Sequence, residues 1–213
     1  MDIIFLNSNQ LQEKLSSVMS SCCDTIIVTS AFITEPGYNW LQLHSNHIEK
    51  KQLIGRFQPN DFLSKASSFA VLKKALDDNW QLAMDPNLHS KVTVIDDTKV
   101  FLGSSNLTSF GLGLGDKIQN ESNVFFETNS KPTEIISHIQ NNIITITLSK
   151  LAEMKAILDE ALQDNKIPYK EVIWPKSILT PVSKKQKFLS TEFPDIHPSE
   201  IGKKPSCFFS TET

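Results

Sequence analysis

The rhythm of apolar residues changes along this chain, and each change marks an element. Residues 2–6, DIIFL, are a short apolar run that predicts a strand. Leu11, Leu15, Val18, Met19 and Cys22 then recur at three- and four-residue spacing, which predicts one face of a helix that Ser8 or Asn9 can cap. The run TIIVTSAFI is unbroken and β-branched, as in a strand buried on both sides. Pro36 and Gly37 predict a loop, and QLIGRF at 52–57 a further strand. Phe69, Leu72 and Leu76 form the stripe of a helix ending near Asn79, after which WQLAM returns as a strand.

Two strands follow, HSKVTVID and KVFLGS, joined by a turn around Asp97 and Thr98. A glycine-rich connector, SFGLGLGDK, leads to the strand ESNVFFET. Residues 133–146 carry both signals: Ile135, Ile136 and Ile139 favour helix, while NIITITL has strand propensity. Leu151, Met154, Leu158 and Leu162 predict a closing helix that ends near Gln163. This order predicts an α/β fold, a mixed central β-sheet flanked by helices on both faces, in one domain over 1–164. Beyond it, six of the ten prolines (Pro168, Pro175, Pro181, Pro194, Pro198 and Pro205) crowd the last stretch. Residues 165–213 therefore read as a proline-rich tail, a linker or an incomplete C-terminal extension. No internal repeat is visible.

Composition narrows the class. An apolar fraction of 39% with 21% charge is that of a globular protein. A net charge of −3 argues against a broad positive field of the histone kind, while leaving room for a local basic groove. Cys22, Cys23 and Cys207 have no metal or disulfide spacing, which fits reduced cytosolic thiols. The opening MDIIFLNSNQ has an acid where a signal peptide is positive, and no apolar run nears the roughly 18 residues of a membrane helix. The expectation is a cytoplasmic protein with no membrane partner.

The chemistry concentrates at residues 89–106. On a strand alternate residues share a face, so His89 and Lys91 are expected to project together, and Ser104 and Asn106 likewise. The hairpin thus gathers an imidazole, an ammonium, a hydroxyl and a carboxamide, with Gly103 permitting close backbone approach. That set suits a phosphodiester: lysine neutralises the oxygens, amide and hydroxyl donate hydrogen bonds, and a neutral imidazole can attack phosphorus. By alternation Asp96 points away from His89, which assigns it a structural place at the strand end. Ser104 reads as a phosphate contact or as support for its turn. Arg56, at the end of a strand, reads as a phosphate contact or as an ordinary surface arginine. The glycines of FGLGLG follow no strand-to-helix turn, which excludes a dinucleotide loop. His44, His47 and Asp61 form no metal set.

His89, Lys91, Asp96, Gly103, Ser104 and Asn106 match the H-x-K-x4-D-x6-G-S-x-N signature of the phospholipase D superfamily with every spacing intact. Chance agreement at six positions is on the order of one in 100,000. The stretches IGRFQPNDFLSKAS, NWQLAMDPNLHSKVTVID and GSSNLTSFGLGLG further resemble the nuclease domain of metal-independent restriction endonucleases and related defence nucleases. The resemblance implies a phosphohistidine on His89, a second histidine that protonates the leaving oxygen, and an acid on the following strand, Glu121, that orients His89. It implies DNA as substrate and no metal or other cofactor. Family sites use two such motifs and this chain has one, because His44, His47, His138 and His197 lack a lysine two places on. Single-motif members pair two chains about a twofold axis, so the resemblance implies a homodimer with a shared active site. Such an imidazole pair is expected to work at mildly acidic to neutral pH. Restriction enzymes of this type add a target-recognition domain, which here would be a separate domain or subunit. The competing expectations are phospholipid hydrolysis or phosphatidyl transfer, RNA cleavage, and a noncatalytic DNA-binding or dimerisation module.

Overall fold

The apolar run that begins at Thr25 lies at the centre of an eight-stranded sheet in the computed structural model, which describes residues 2–21, 24–115, 119–163 and 172–180. In chain order the elements are β1 (Ile3–Leu6), α1 (Ser8–Ser21), β2 (Thr25–Ser30), α2 (Glu35–Ser45) and β3 (Lys50–Gly55). Then come α3 (Pro59–Leu63), α4 (Ala70–Asp77), β4 (Gln81–Met84), β5 (Val92–Ile95) and β6 (Lys99–Gly103). Last are β7 (Asn123–Glu127), α5 (Thr133–Gln140), β8 (Ile144–Thr145), α6 (Leu148–Gln163) and α7 (Lys176–Leu179). The strand order is β1-β7-β6-β5-β2-β3-β4-β8. β2, β3 and β4 run parallel, and every other neighbouring pair is antiparallel.

Helices cover both faces, as the α/β reading requires. On one face α1, α2, α4 and α6 press Leu15, Leu41, Leu72 and Met154 onto Val28, Leu53, Leu82 and Phe101 of the sheet. On the other, Ile136 and Ile139 of α5 close over Ile27, Ile54, Val94 and Val100. Each such buried side chain contributes roughly 1.5–3 kcal/mol, so these two clusters are the fold's main stabilising term. Among the described residues no helix is long and apolar enough to cross a membrane.

The structure corrects several local expectations. The segment at Pro36 and Gly37 is not a loop but the first turn of α2, where proline at the N-terminus needs no hydrogen-bond donor. Gly37 is there for space: a Cβ would lie 2.3 Å from the carbonyl oxygen of Leu107. Helix α1 is closed by neither Ser8 nor Asn9. Asn7 Oδ1 accepts the Gln10 N–H while Gln10 Oε1 accepts the Asn7 N–H, each at 3.0 Å, a reciprocal capping box. The Ser8 hydroxyl instead donates to the Gln119 carbonyl. Both signals in 133–146 are realised in succession, as α5 and then β8. Strand β5 starts at Val92, so His89 and Lys91 lie in its lead-in rather than on the strand. Cys22 lies outside the described residues. Within the tail, residues 172–180 pack on the domain: Trp174 and Ile178 are buried, and Trp174 Nε1 donates to the Phe57 carbonyl at 2.7 Å. The Lys150 ammonium, its pKa lowered by burial, donates to the carbonyls of Ile178 and Thr180.

Candidate functional site

Because β2, β3 and β4 run the same way, their carboxyl ends share one edge of the sheet. The antiparallel partners bring the start of β5, the end of β6 and the start of β7 to that edge, with Val92 opposite Leu102 and Gly103 opposite Asn123. This is the edge at which open α/β sheets hold ligands. The loop before β5 is fastened there by Leu88, buried beneath α5, and by Thr29, whose hydroxyl accepts the Val92 N–H at 2.9 Å.

His89 is exposed at this edge. The Lys91 ammonium donates to the His89 carbonyl at 2.6 Å and stands 3.3 and 3.5 Å from the two ring nitrogens. Imidazole and ammonium therefore converge although neither residue is on a strand. Burial lowers the pKa of Lys91 below the ordinary lysine value; the Glu121 carboxylate pulls it back up, and the Arg56 guanidinium pushes it down. The lysine nitrogen thus stands beside an exposed imidazole.

The second half of the site is the turn that leaves β6. The Ser104 hydroxyl accepts the Ser122 N–H at 3.0 Å and donates to the Glu121 carboxylate in a short hydrogen bond. The hydrogen bond of Glu121 thus goes to Ser104 rather than to the His89 ring, while its charge is felt at Lys91. Asn106 Oδ1 accepts the Phe32 N–H at 3.1 Å, which fixes the plane of the carboxamide. The Ser30 hydroxyl accepts the Leu107 N–H and donates to the Phe32 carbonyl, zipping this turn to the chain after β2. Gly103 is required by space, since a Cβ would meet Asn123 Oδ1 at 2.1 Å. Gly111, in the connector, gives the same clearance beneath the Asn106 carbonyl.

Asp96 sits at the far end of the hairpin with φ of 47°, in the left-handed region that Asp tolerates better than most residues. Its carboxylate accepts the N–H groups of Asp24 and Thr25, each at 3.3 Å, and pairs with Lys99 at 3.5 Å. Arg56 is anchored: Nε and a terminal nitrogen bind the Asp61 carboxylate at 2.9 and 2.5 Å, and the guanidinium lies 4.6 Å from the Phe32 ring centre. That carboxylate raises the arginine's pKa further. His44, His47 and Asp61 have separate partners in Trp40, Met19 and Arg56.

Sequence reading passed over Thr29, Ser30, Phe32, Asn123 and Gly111, which hold the motif in place. A signal existed: Thr29 and Ser30 are polar residues ending an otherwise apolar buried run. A buried hydroxyl needs a partner, and both find theirs in the motif segment.

A family model described as "Cardiolipin synthase, PLD-like domain" matches residues 16–146, more than half of the chain. The chain belongs to this phospholipase D-like family. Among solved structures it is similar to Nuc from Salmonella typhimurium, a phospholipase D family member, at 17% identity and a TM-score of 0.50. That likeness covers 66% of this chain and 91% of Nuc. It is also similar to the phosphatidylserine synthase of Haemophilus influenzae Rd KW20, at 16% identity and a TM-score of 0.52, over 76% of this chain and 43% of the synthase. NucT from Helicobacter pylori matches over 76% of this chain and 96% of its own, at 18% identity and a TM-score of 0.43. Among curated proteins none matches the sequence.

Proposed function

We propose that the protein is a metal-independent phosphodiesterase that cleaves DNA, of the restriction or phage-defence type, and works as a homodimer with one shared site. The observation that carries this reading is the convergence of the His89 imidazole and the Lys91 ammonium beside the Ser104–Asn106 turn, at the ligand edge of a phospholipase D-like sheet. In the first step a neutral His89 nitrogen attacks phosphorus, forming an N–P bond as the P–O bond to the leaving group breaks. A protonated His89 of the partner subunit gives its proton to the leaving oxygen. In the second step that imidazole takes a proton from water, whose oxygen attacks phosphorus and breaks the N–P bond. Lys91 and the Asn106 amide bind the non-bridging oxygens, Ser104 and Glu121 hold the turn and balance charge, and Arg56 extends the positive field. Gly103 and Asp96 serve the scaffold.

Phosphatidyl transfer is the second reading, favoured by the description of the family model. The test is plasmid nicking in excess EDTA across a pH series, beside incubation with phosphatidylcholine and a native mass measurement. The expected result is nicking that persists in EDTA at mildly acidic to neutral pH, in a dimer. Strict magnesium dependence, or lipid turnover without nicking, overturns the proposal.

A further inference from the structure

Residues 172–180 belong by sequence to the proline-rich tail, yet they form a strap tied to the domain at two points. At its far end the buried Lys150 ammonium donates to the Ile178 carbonyl at 3.0 Å and to the Thr180 carbonyl at 2.6 Å. At its near end the Trp174 indole, 4% exposed, donates from Nε1 to the Phe57 carbonyl at 2.7 Å. The Trp174 ring centre also lies 6.5 Å from that of Phe62, which stacks on Phe57 at 6.1 Å. The strap therefore closes on one short segment, the chain that leaves β3. That segment is strained. Phe57 has φ of 46°, a left-handed conformation that a bulky side chain keeps only when its surroundings hold it there. Three contacts do so. Its ring occupies the space over Gly55, where a Cβ would lie 2.3 Å from the ring, Phe62 stacks on it, and Trp174 donates to its carbonyl. An acceptor buried in this way needs a donor, and the indole supplies one.

Between Gly55 and the strained Phe57 stands Arg56, so the backbone that the strap clamps is the backbone from which the guanidinium departs. The guanidinium is forked by Asp61 at 2.9 and 2.5 Å, lies 4.6 Å from the Phe32 ring centre and remains 21% exposed. Its charge reaches Lys91. Asp61 and Phe62 are consecutive in α3, so one helical turn carries both the carboxylate that binds Arg56 and the ring against Trp174. Trp174 thus meets Arg56 by two short routes, through the Phe57 carbonyl and through Phe62 to Asp61. We propose that Trp174 is a positioning residue for Arg56: the strap locks Phe57 and Phe62 in place and so fixes the guanidinium at the ligand edge, where it binds the backbone of the substrate. The substrate contact rests on the phosphodiesterase reading of the site; the positioning rests on the geometry of the strap.

The test is Trp174→Phe in the full chain, which keeps an aromatic ring and removes the N–H. The direct readout is exchange of the Arg56 Nε–H with water, followed by nuclear magnetic resonance, with Arg56→Met assigning the signal. In wild type the Asp61 carboxylate protects this proton, and in Trp174→Phe its exchange is expected to quicken roughly tenfold or more. Equal exchange in the two folded proteins overturns the proposal, whatever the substitution does to melting. Lys150→Met, which unties the strap from its other end, gives the same readout should Trp174→Phe not fold. The second readout is plasmid cleavage. Trp174→Phe is expected to raise KM roughly three- to tenfold with kcat within about twofold. In an Arg56→Met background it is expected to raise KM no further, because both substitutions remove one interaction. Effects on KM that multiply in the double variant overturn the proposal. A wild type without nuclease activity, in which Nε–H exchange still depends on Trp174, overturns the phosphodiesterase reading and leaves the positioning of Arg56 standing.

Discussion

The β5–β6 hairpin has two ends, and one sequence motif supplies both. At one end His89, Lys91, Ser104 and Asn106 lie at the ligand edge, with the imidazole open to solvent. At the other, Asp96 holds the Asp24 and Thr25 N–H groups and pairs with Lys99 in a left-handed turn. The first end keeps a cation partly desolvated, which costs stability. The second satisfies main-chain donors at the start of β2, which contributes stability. A residue's membership of a motif therefore does not say which of the two it does; its partners do.

Substitutions at the two ends should separate activity from stability. The largest effect is expected at His89. His89→Ala should abolish cleavage, a loss of at least roughly 10²–10⁴-fold, while melting within about 0.5 kcal/mol of wild type because the side chain is exposed; nicking assays beside thermal unfolding check both. Lys91→Met should lower activity by about 10²–10³-fold and melt no lower than wild type. Burial lowers the Lys91 pKa, so the charged form is disfavoured in the fold. That penalty is fully present below the folded pKa and disappears as pH rises from there to the ordinary value of 10.5. Any stability gain of Lys91→Met should accordingly be full at neutral pH and shrink in that alkaline window, which melting curves across pH will show.

At the other end the signs reverse. Asp96→Ala should cost about 0.5–1.5 kcal/mol of stability by removing the carboxylate that accepts two main-chain N–H groups, with cleavage per folded molecule unchanged within a few-fold. Denaturant unfolding and active-site titration distinguish the two. The smallest effect is expected at Glu121. Glu121→Gln removes the carboxylate that raises the Lys91 pKa, so the alkaline limb of the activity profile should move to lower pH. A profile that stays in place would disconnect Glu121 from Lys91.

Much of the fold was legible because its signals are local. The unbroken run at 25–30, the helical stripes of α1 and α6 and the hairpin of β5 and β6 each follow from spacing alone. Helix α2 was not legible, since Pro36 and Gly37 read as breakers. They are accommodated because a first helical turn tolerates proline and because Leu107, distant in sequence, presses on residue 37. The capping box at Asn7 was missed for a simpler reason, that neighbouring polar residues compete for the role and only geometry selects one.

The candidate site divides in the same way. The spacing of His89, Lys91, Ser104 and Asn106 determines that these side chains can meet, because a hairpin carries short sequence intervals directly into space. Tertiary packing decided how they are held. Ser30 and Phe32 reach the Asn106 turn across 76 and 74 residues, Glu121 binds Ser104 across 17, and Arg56 is fixed by Asp61 and Phe32 beside the site. Identity and interval are properties of the chain. Which hydroxyl, carboxylate or aromatic ring stands opposite them depends on how distant strands share an edge, and that is set only when the two apolar clusters close on the sheet.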